Sequence, residues 1–352
     1  LLVLAVTLGL CFLGEAVLRV RFYLQYGTFL RVHTFEKDPV SGLSIPVPGR
    51  DTGAIRIDSR GFRNPELEVP KPAGRVRLAF LGASTTYCAE ASSNEATWPS
   101  LVCDSARRAH PTASIDYVNA GVAGYVLSHV AKNLEFRVRP LQPDVIVLYE
   151  ATNDLTKDTR ELAQEQGVYV EHSDREDWLA QISLLWHLIE KNLLVRARAN
   201  DATSGAARVK LDVPRLEKAY RERYVALVRD AQKVAPVVAV VTFAQRTRRG
   251  MSADDLRASC VTHFYYMPYM DAESVIEGFE AYNRAIRAAA AETGAILIEG
   301  EDGVPPDATH FTDSVHFTDA GCRWQAERVW HGLETAPAFR SLFGPAEPAS
   351  PR

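Results

Sequence analysis

Short apolar runs separated by stretches of helical period constrain this chain more than any other feature of its sequence. Residues 76–82, 115–119, 144–150, 236–243 and 295–300 are such runs, and DVIVLYE (144–150) and PVVAVVTF (236–243) are almost unbroken. A strand wetted on one side alternates apolar and polar residues, whereas a strand covered on both faces reads as a continuous run. Strands of the second kind, each followed by a helix, build a parallel sheet with helices on both faces. The expected fold is α/β, a three-layer α/β/α sandwich around a five-stranded parallel sheet.

The intervening stretches carry helix signals. Residues 97–109 have Thr97 as a cap and Pro99 in the first turn, and 127–138 stop before Pro140. Residues 214–233 start at Pro214, 274–293 end at Gly294, and a last helix runs from Thr318 to about 334. Other segments fall outside this rhythm. Residues 27–74 are rich in Pro, Gly and Arg and read as an extended lead-in, with a turn at 58–61 before Phe62. Residues 155–213 read as an insertion. Within it, 173–198 open with a Ser173/Glu176 capping box and show a broad apolar face, and 199–210 are small and polar. The 244–272 loop is basic, then aromatic and Met-rich, and the Pro-rich tail 336–352 is expected to fray. The expected organisation is an apolar helix at 1–26, the lead-in, a catalytic domain at 75–335 with the insertion, and the tail.

Composition removes several classes of function. A net charge of −4 leaves no nucleic-acid footprint. The five cysteines are scattered, odd in number and without C-x-x-C spacing, which argues against a disulfide framework and a zinc site. No GxxxxGK phosphate loop occurs, so neither metal nor cofactor is expected. The N-terminal run LLVLAVTLGLCFLGEAVL reads as the remainder of a signal anchor holding the rest outside the cytoplasm. Glu15 interrupts that run, and Arg19, Arg21 and Arg31 lie on the side to be translocated. An amphipathic helix packed on the domain is the competing reading.

The polar candidates all fall just after strands, at the edge where open α/β sheets place their ligands. Ser84 follows the first strand, where a strand turns into a helix; Gly124 follows the second, Asn153 the third, and Asp313 with His316 the last. A serine nucleophile needs a base to take its proton, an acid to hold that base, and donors for the developing oxyanion. Asp313 and His316, three residues apart in a loop, can supply acid and base on one turn. Asp307 and His310 have the same spacing, and both histidines precede Phe-Thr; the second pair is preferred because it leads directly into a helix. Cys88 lies close to Ser84 but reads more simply as a small apolar residue. Tyr87 and Trp98 read as packing, and Asp154 as an acceptor that orients its loop.

Four blocks in this order, GAST around Ser84, NxGxxG ending at Gly124, TND at Asn153 and DxxH at Asp313–His316, resemble the SGNH (GDSL-type) hydrolase superfamily. The similarity covers about 76–334. The resemblance implies a flavodoxin-like three-layer fold and a serine esterase, with Ser84 as nucleophile, His316 as base and Asp313 as its orienting acid. It implies an oxyanion hole made by the Ser84 and Gly124 N–H groups and the Asn153 side chain, with Gly121 the weaker candidate for the second block. Ala83 and Ala151 stand where the family usually has Asp and Gly, and neither replaces a catalytic group. An α/β-hydrolase would want G-x-S-x-G, but Thr86 stands at the second glycine. The apolar N-terminus followed by Gly61-Phe62-Arg63 also resembles membrane-anchored bacterial members. The expected partner is an ester-bearing glycan, lipid or small molecule, and membrane association runs through the N-terminal helix. Acyl transfer to an exported glycan and an inactive binding module are the alternatives.

Overall fold

The structure is a computed structural model that describes residues 2–26, 34–170, 183–186, 188–189, 193 and 208–344. Helix α1 (Leu2–Tyr26) is followed by a small antiparallel pair, β1 (Phe35–Lys37) and β2 (Ser44–Pro46). The central sheet contains β3 (Arg75–Gly82), β4 (Ser114–Gly121), β5 (Val145–Tyr149), β6 (Val237–Val241) and β7 (Ile296–Ile298). Its spatial order is β4-β3-β5-β6-β7, and every pairing is parallel. This is the expected five-stranded arrangement, with chain direction reversing beside β3. The three central strands are buried along almost their whole length, which is why they read as unbroken apolar runs.

Helices α2 (Ser84–Tyr87), α3 (Trp98–Ala109), α4 (Leu127–Asn133), α5 (Thr152–Glu165) and α6 (Val213–Gln232) follow in turn. They are joined by α7 (Ala253–Ser259), α8 (Val261–Tyr266), α9 (Ala272–Thr293), α10 (Asp319–Thr335) and the short α11 (Pro337–Arg340). Helix α3 packs beside α10, and α6 beside α9. The caps are those the residue types call for: Thr97, Asp212, Asp271 and Thr318 each accept a backbone N–H with the side chain. Gly294 closes α9 with φ +71°.

Several expectations are corrected. Residues 155–165, at the start of the expected 155–213 insertion, are helical and continue α5, which starts at the third block itself. Helix 127–138 is α-helical only to Asn133, then widens into a π turn over Leu134–Val138 and tightens into a 3-10 turn that carries Pro140. The lead-in is packed rather than merely extended, with Leu43, Ile45, Ile57, Phe62 and Leu67 buried. The tail is docked as far as residue 344: Phe339 is fully buried against Trp330, and Phe343 stacks on His110 at 3.8 Å. Most of the 173–198 helix, residues 199–207 and the tail beyond 344 lie outside the described residues.

The lead-in turn reaches the site. Asp58 Oδ1 accepts the N–H groups of Arg60 and Phe62 at 2.9 and 2.8 Å, and Gly61 takes φ +80°. A side chain there would come within 2.8 Å of the Pro46 carbonyl, so the position requires glycine. The turn delivers Arg63 into the interior, fully buried.

Candidate active site

Strand β3 carries the chain to Gly82 at the centre of the sheet edge. A Cβ on Gly82 would lie 2.2 Å from the Tyr149 carbonyl oxygen, so this turn exists only because the residue is glycine. Ser84 then opens α2, a single helical turn that ends with Cys88 in the left-handed region at φ +58°. The turn is held from three sides. Arg63 donates to the carbonyls of Tyr87 (3.0 Å) and Cys88, satisfying groups that a one-turn helix leaves bare. Trp98 Nε1 donates to Thr85 O at 3.0 Å, and Thr86 Oγ1 donates to Tyr149 O at 3.3 Å. Trp98 is thus a packing residue, as read from the sequence, and Cys88 is buried with its thiol pushed well up by burial.

The loop after β7 brings its two polar residues to Ser84 across 232 positions of sequence. His316 Nε2 lies 2.8 Å from Ser84 Oγ, and His316 Nδ1 lies 2.7 Å from Asp313 Oδ2. The other Asp313 oxygen accepts the N–H groups of Val315 and His316, both at 2.8 Å. Burial works to raise the Asp313 carboxyl, but its bonds to the His316 ring and to these N–H groups hold it down to about 2. Burial works to lower the His316 pKa, but the bond and charge of Asp313, with the charge of Glu90, raise it above the ordinary 6.5.

Gly124 and Asn153 line the same cavity as Ser84 and His316, a space of about 300 Å³. Gly124 takes φ +79° with open space where a Cβ would stand. Asn153 sits in the first turn of α5, where one amide N–H is given to Tyr125 O at 2.7 Å. This bond occupies one of the two amide N–H groups and restrains the plane of the amide. Asp154 accepts the Leu127 N–H at 2.8 Å, tying the second block to the third; burial raises its carboxyl to about 6. Gly121 serves packing: its N–H goes to Asn119 Oδ1 at 3.1 Å, and a Cβ would lie 2.4 Å from the Tyr87 nitrogen.

His310 is elsewhere. It is paired with Asp307 at 2.9 Å and lines no part of the cavity. Sequence reasoning missed three contributors. Arg63 gave no signal beyond its motif. Ser314 lies inside DxxH, and its hydroxyl accepts the N–H of Thr262 at 3.2 Å, clamping α8 onto the triad loop. His263 on α8 lines the cavity, is 2 % exposed and has no partner for Nε2 among the described residues. Burial lowers its pKa to about 4, which keeps the ring neutral. The aromatic, Met-rich loop lines one side of the cavity through Thr262, His263, Tyr266 and Met267. Larger concavities include one of about 810 Å³ lined mostly by charged side chains of α6 and α9 and one of about 420 Å³ between α9 and the loops after β6 and β7, and neither holds Ser84, Asp313 or His316.

No curated protein sequence matches this chain. Solved structures of esterases and hydrolases are among those it resembles. Axe2, an acetylxylan esterase from Geobacillus stearothermophilus, is 15% identical, with 73% of this chain and 93% of that chain covered and a TM-score of 0.44. LAE5, an alpha/beta hydrolase enzyme from the metagenome of Lake Arreo, Spain, is 15% identical over 73% and 94%, also at 0.44. The acetyl xylan esterase AlAXEase is 15% identical over 73% and 100%, again at 0.44. Residues 80–324 match the GDSL-like Lipase/Acylhydrolase family, a span that takes in all four blocks and most of the chain. The chain therefore belongs to the GDSL-like lipase/acylhydrolase family and is an SGNH-type carboxylic ester hydrolase.

Proposed function

We propose that this enzyme cleaves its ester through an acyl-serine intermediate on Ser84. The observation that carries the reading is the unbroken relay Ser84 Oγ–His316 Nε2–His316 Nδ1–Asp313 Oδ2, with steps of 2.8 and 2.7 Å. Ser84 Oγ attacks the carbonyl carbon while His316 Nε2 takes its proton, and the carbonyl oxygen becomes an oxyanion. The N–H groups of Ser84 and Gly124 and the second amide N–H of Asn153 stabilise that charge. When the tetrahedral intermediate collapses, the C–O bond to the alcohol breaks and His316 returns the proton to the leaving oxygen. Water then enters and attacks the acyl carbon while giving a proton to His316; the bond from that carbon to Ser84 Oγ breaks, His316 returns the proton to Oγ, and the carboxylic acid leaves. Asp313 keeps its negative charge throughout, holds the proton-bearing Nδ1 and stabilises the imidazolium.

A cavity of about 300 Å³ suits a short acyl chain, and its wall combines the hydroxyl-bearing Thr152, Thr156 and Thr262 with the apolar Met267 and Val315. The substrate on this reading is a short-chain ester of a glycan, lipid or small alcohol outside the cytoplasm, reached by an enzyme that α1 holds at the membrane. Helix α1 supports this with a 22-residue stretch, Leu2–Tyr23, of mean hydropathy 2.0 that is not buried against the rest of the protein. The test is labelling by an active-site phosphonate together with turnover of p-nitrophenyl acetate. Both are expected in the wild type and neither in Ser84→Ala; a Ser84→Ala enzyme that still turns over would refute the serine mechanism.

A further inference from the structure

Glu15 is the anomaly of the N-terminal helix. A carboxylate within an otherwise apolar span is costly unless it is paired and hydrogen-bonded. Here every lone pair has a use. Glu15 accepts Ser183 Oγ at 2.9 Å and the backbone N–H groups of Leu184 and Leu185 at 3.2 and 2.9 Å, and it pairs with Arg19 at 2.8 Å. Ser183 Oγ in turn accepts the Trp186 N–H at 3.0 Å. Residues 184–186 and 188–189 are helical, so Glu15 and Ser183 together satisfy the N–H groups that open this helical stretch. Gly14 belongs to the same contact: a Cβ added there would meet the Leu185 side chain at 3.4 Å, an ordinary van der Waals distance.

The contact is confined to one part of α1. Gly14, Glu15, Ala16, Leu18, Arg19 and Phe22 are partly covered, whereas residues 2–13 are exposed throughout. At about 1.5 Å of rise per residue, Glu15 lies roughly 12 Å from Tyr23 and roughly 20 Å from Leu2, in the half of the span nearer the catalytic domain. The polar groups of the contact face inward onto each other. Among the described residues of this stretch the large exposed side chains are apolar: Trp186 is 39 % exposed, Leu188 and Ile189 40 %, and Leu193 60 %. This arrangement, with polar groups satisfied inside and apolar groups bared outside, suits a hydrocarbon surrounding and wastes apolar surface in water. The bared face continues that of a helix whose own length and hydropathy match a bilayer.

We infer that Ser183–Trp186, Leu188, Ile189 and Leu193 belong to a second membrane-contacting element, latched to α1 by Glu15 and bathed by lipid on the outer face of these residues. Trp186 then sits toward the interface, where amphipathic rings are favoured. The enzyme is held to the bilayer by two elements, which restricts how the catalytic domain can rotate above the surface. The inference rests on α1 lying in the membrane and is independent of the serine mechanism.

The experiment uses the full chain carrying Trp178→Phe, reconstituted into phosphatidylcholine–phosphatidylglycerol vesicles that contain acyl-brominated lipid. Tryptophan quenching by the bromolipid is expected, and Trp186→Phe should remove more than half of it. In a second measurement, Gly14→Cys with Leu185→Cys, in a Cys11→Ser background, should form an intramolecular disulfide in the same vesicles. Vesicle-bound protein whose quenching is unchanged by Trp186→Phe, or whose cysteine pair does not cross-link, would overturn the second element. A Trp186 quenched by aqueous iodide instead of bromolipid would mean that a soluble partner or a second copy covers this face, and it overturns the inference equally. Full chain that fails to bind vesicles at all overturns the anchor reading beneath it, and esterase turnover by Ser84 would be unaffected by any of these results.

Discussion

Replacing Asp313 by Asn probes the site by exchanging one carboxylate oxygen for an NH₂ group. One carboxylate oxygen of Asp313 accepts two backbone N–H groups at 2.8 Å, and the other faces His316 Nδ1 at 2.7 Å. Asparagine has a single oxygen, and the two N–H donors will claim it. Its NH₂ is then left against Nδ1, which must become an acceptor, so His316 carries its proton on Nε2, facing Ser84. A protonated Nε2 cannot take the serine proton. Turning the amide over restores the tautomer but sets NH₂ against two N–H groups, leaving buried donors unpaired at about 1–3 kcal/mol each. The productive state thus lies about 2–6 kcal/mol above the resting one, and at about 1.4 kcal/mol per decade kcat/KM should fall roughly 30- to 20,000-fold. The pH profile adds a sign. His316 must be neutral to act, so kcat/KM rises with pH through an acid limb placed above 6.5 in the wild type by the raised His316 pKa. Asp313→Asn removes the bond and charge that raise it and leaves the burial that lowers it, so the limb should move to lower pH. The assay is kcat/KM for p-nitrophenyl acetate across pH 5–9. A loss smaller than tenfold, or a limb that stays put or rises, would refute the reasoning.

Other substitutions separate chemistry from packing. Asn153→Ala should lower kcat by about 10²–10³ with little change in KM, as loss of an oxyanion donor does; a purely KM effect would reassign the residue to substrate binding. His310→Ala should retain activity within a few-fold while His316→Ala loses it, and the opposite result would show that the two DxxH loops have exchanged roles. Arg63→Met leaves the carbonyls of Tyr87 and Cys88 without their buried donor. It should destabilise by about 3 kcal/mol or more in urea unfolding, and a loss below about 1 kcal/mol would deny Arg63 its anchoring role. Gly121→Ala forces a Cβ to within 2.4 Å of the Tyr87 backbone, while Gly124→Ala meets no atom. The first should cost stability and kcat together, the second about 1–2 kcal/mol of backbone strain, as read from Tm and kcat in parallel.

The sheet was legible because its central strands are buried on both faces, and burial on both faces writes an unbroken apolar run. The parts that were misread are those whose structure depends on distant partners. Helix α5 carries few apolar residues, and its first turn holds Asn153 and Asp154, which read as a loop; the helix forms because Leu155 and Leu162 are buried against other elements. The tail looked frayed from its prolines, yet Phe339 finds Trp330, and Phe343 finds His110, a residue far away in sequence. Glu15 looked like a flaw in an apolar run until Ser183 and the N–H groups after it were seen to use it.

By itself the sequence determined the strand edge at which chemistry occurs and the residue types brought there, because strand runs, turn glycines and caps are local properties of the chain. Its preference for the second DxxH loop came from the helix that follows and not from the loop itself. Asp307 accepts the N–H groups of Thr309 and His310 at 3.0 and 3.1 Å and pairs with the His310 ring, the same local pattern that Asp313 makes with Val315 and His316. Two loops with the same local bonds have the same local energy, so only tertiary structure separates them. Packing of the parallel strands sets His316 Nε2 within 2.8 Å of Ser84, while Ser314 ties that loop to α8 and Gly121 lets the nucleophile turn close against β4. The residues of the site are a property of sequence, and their meeting is a property of the packed sheet.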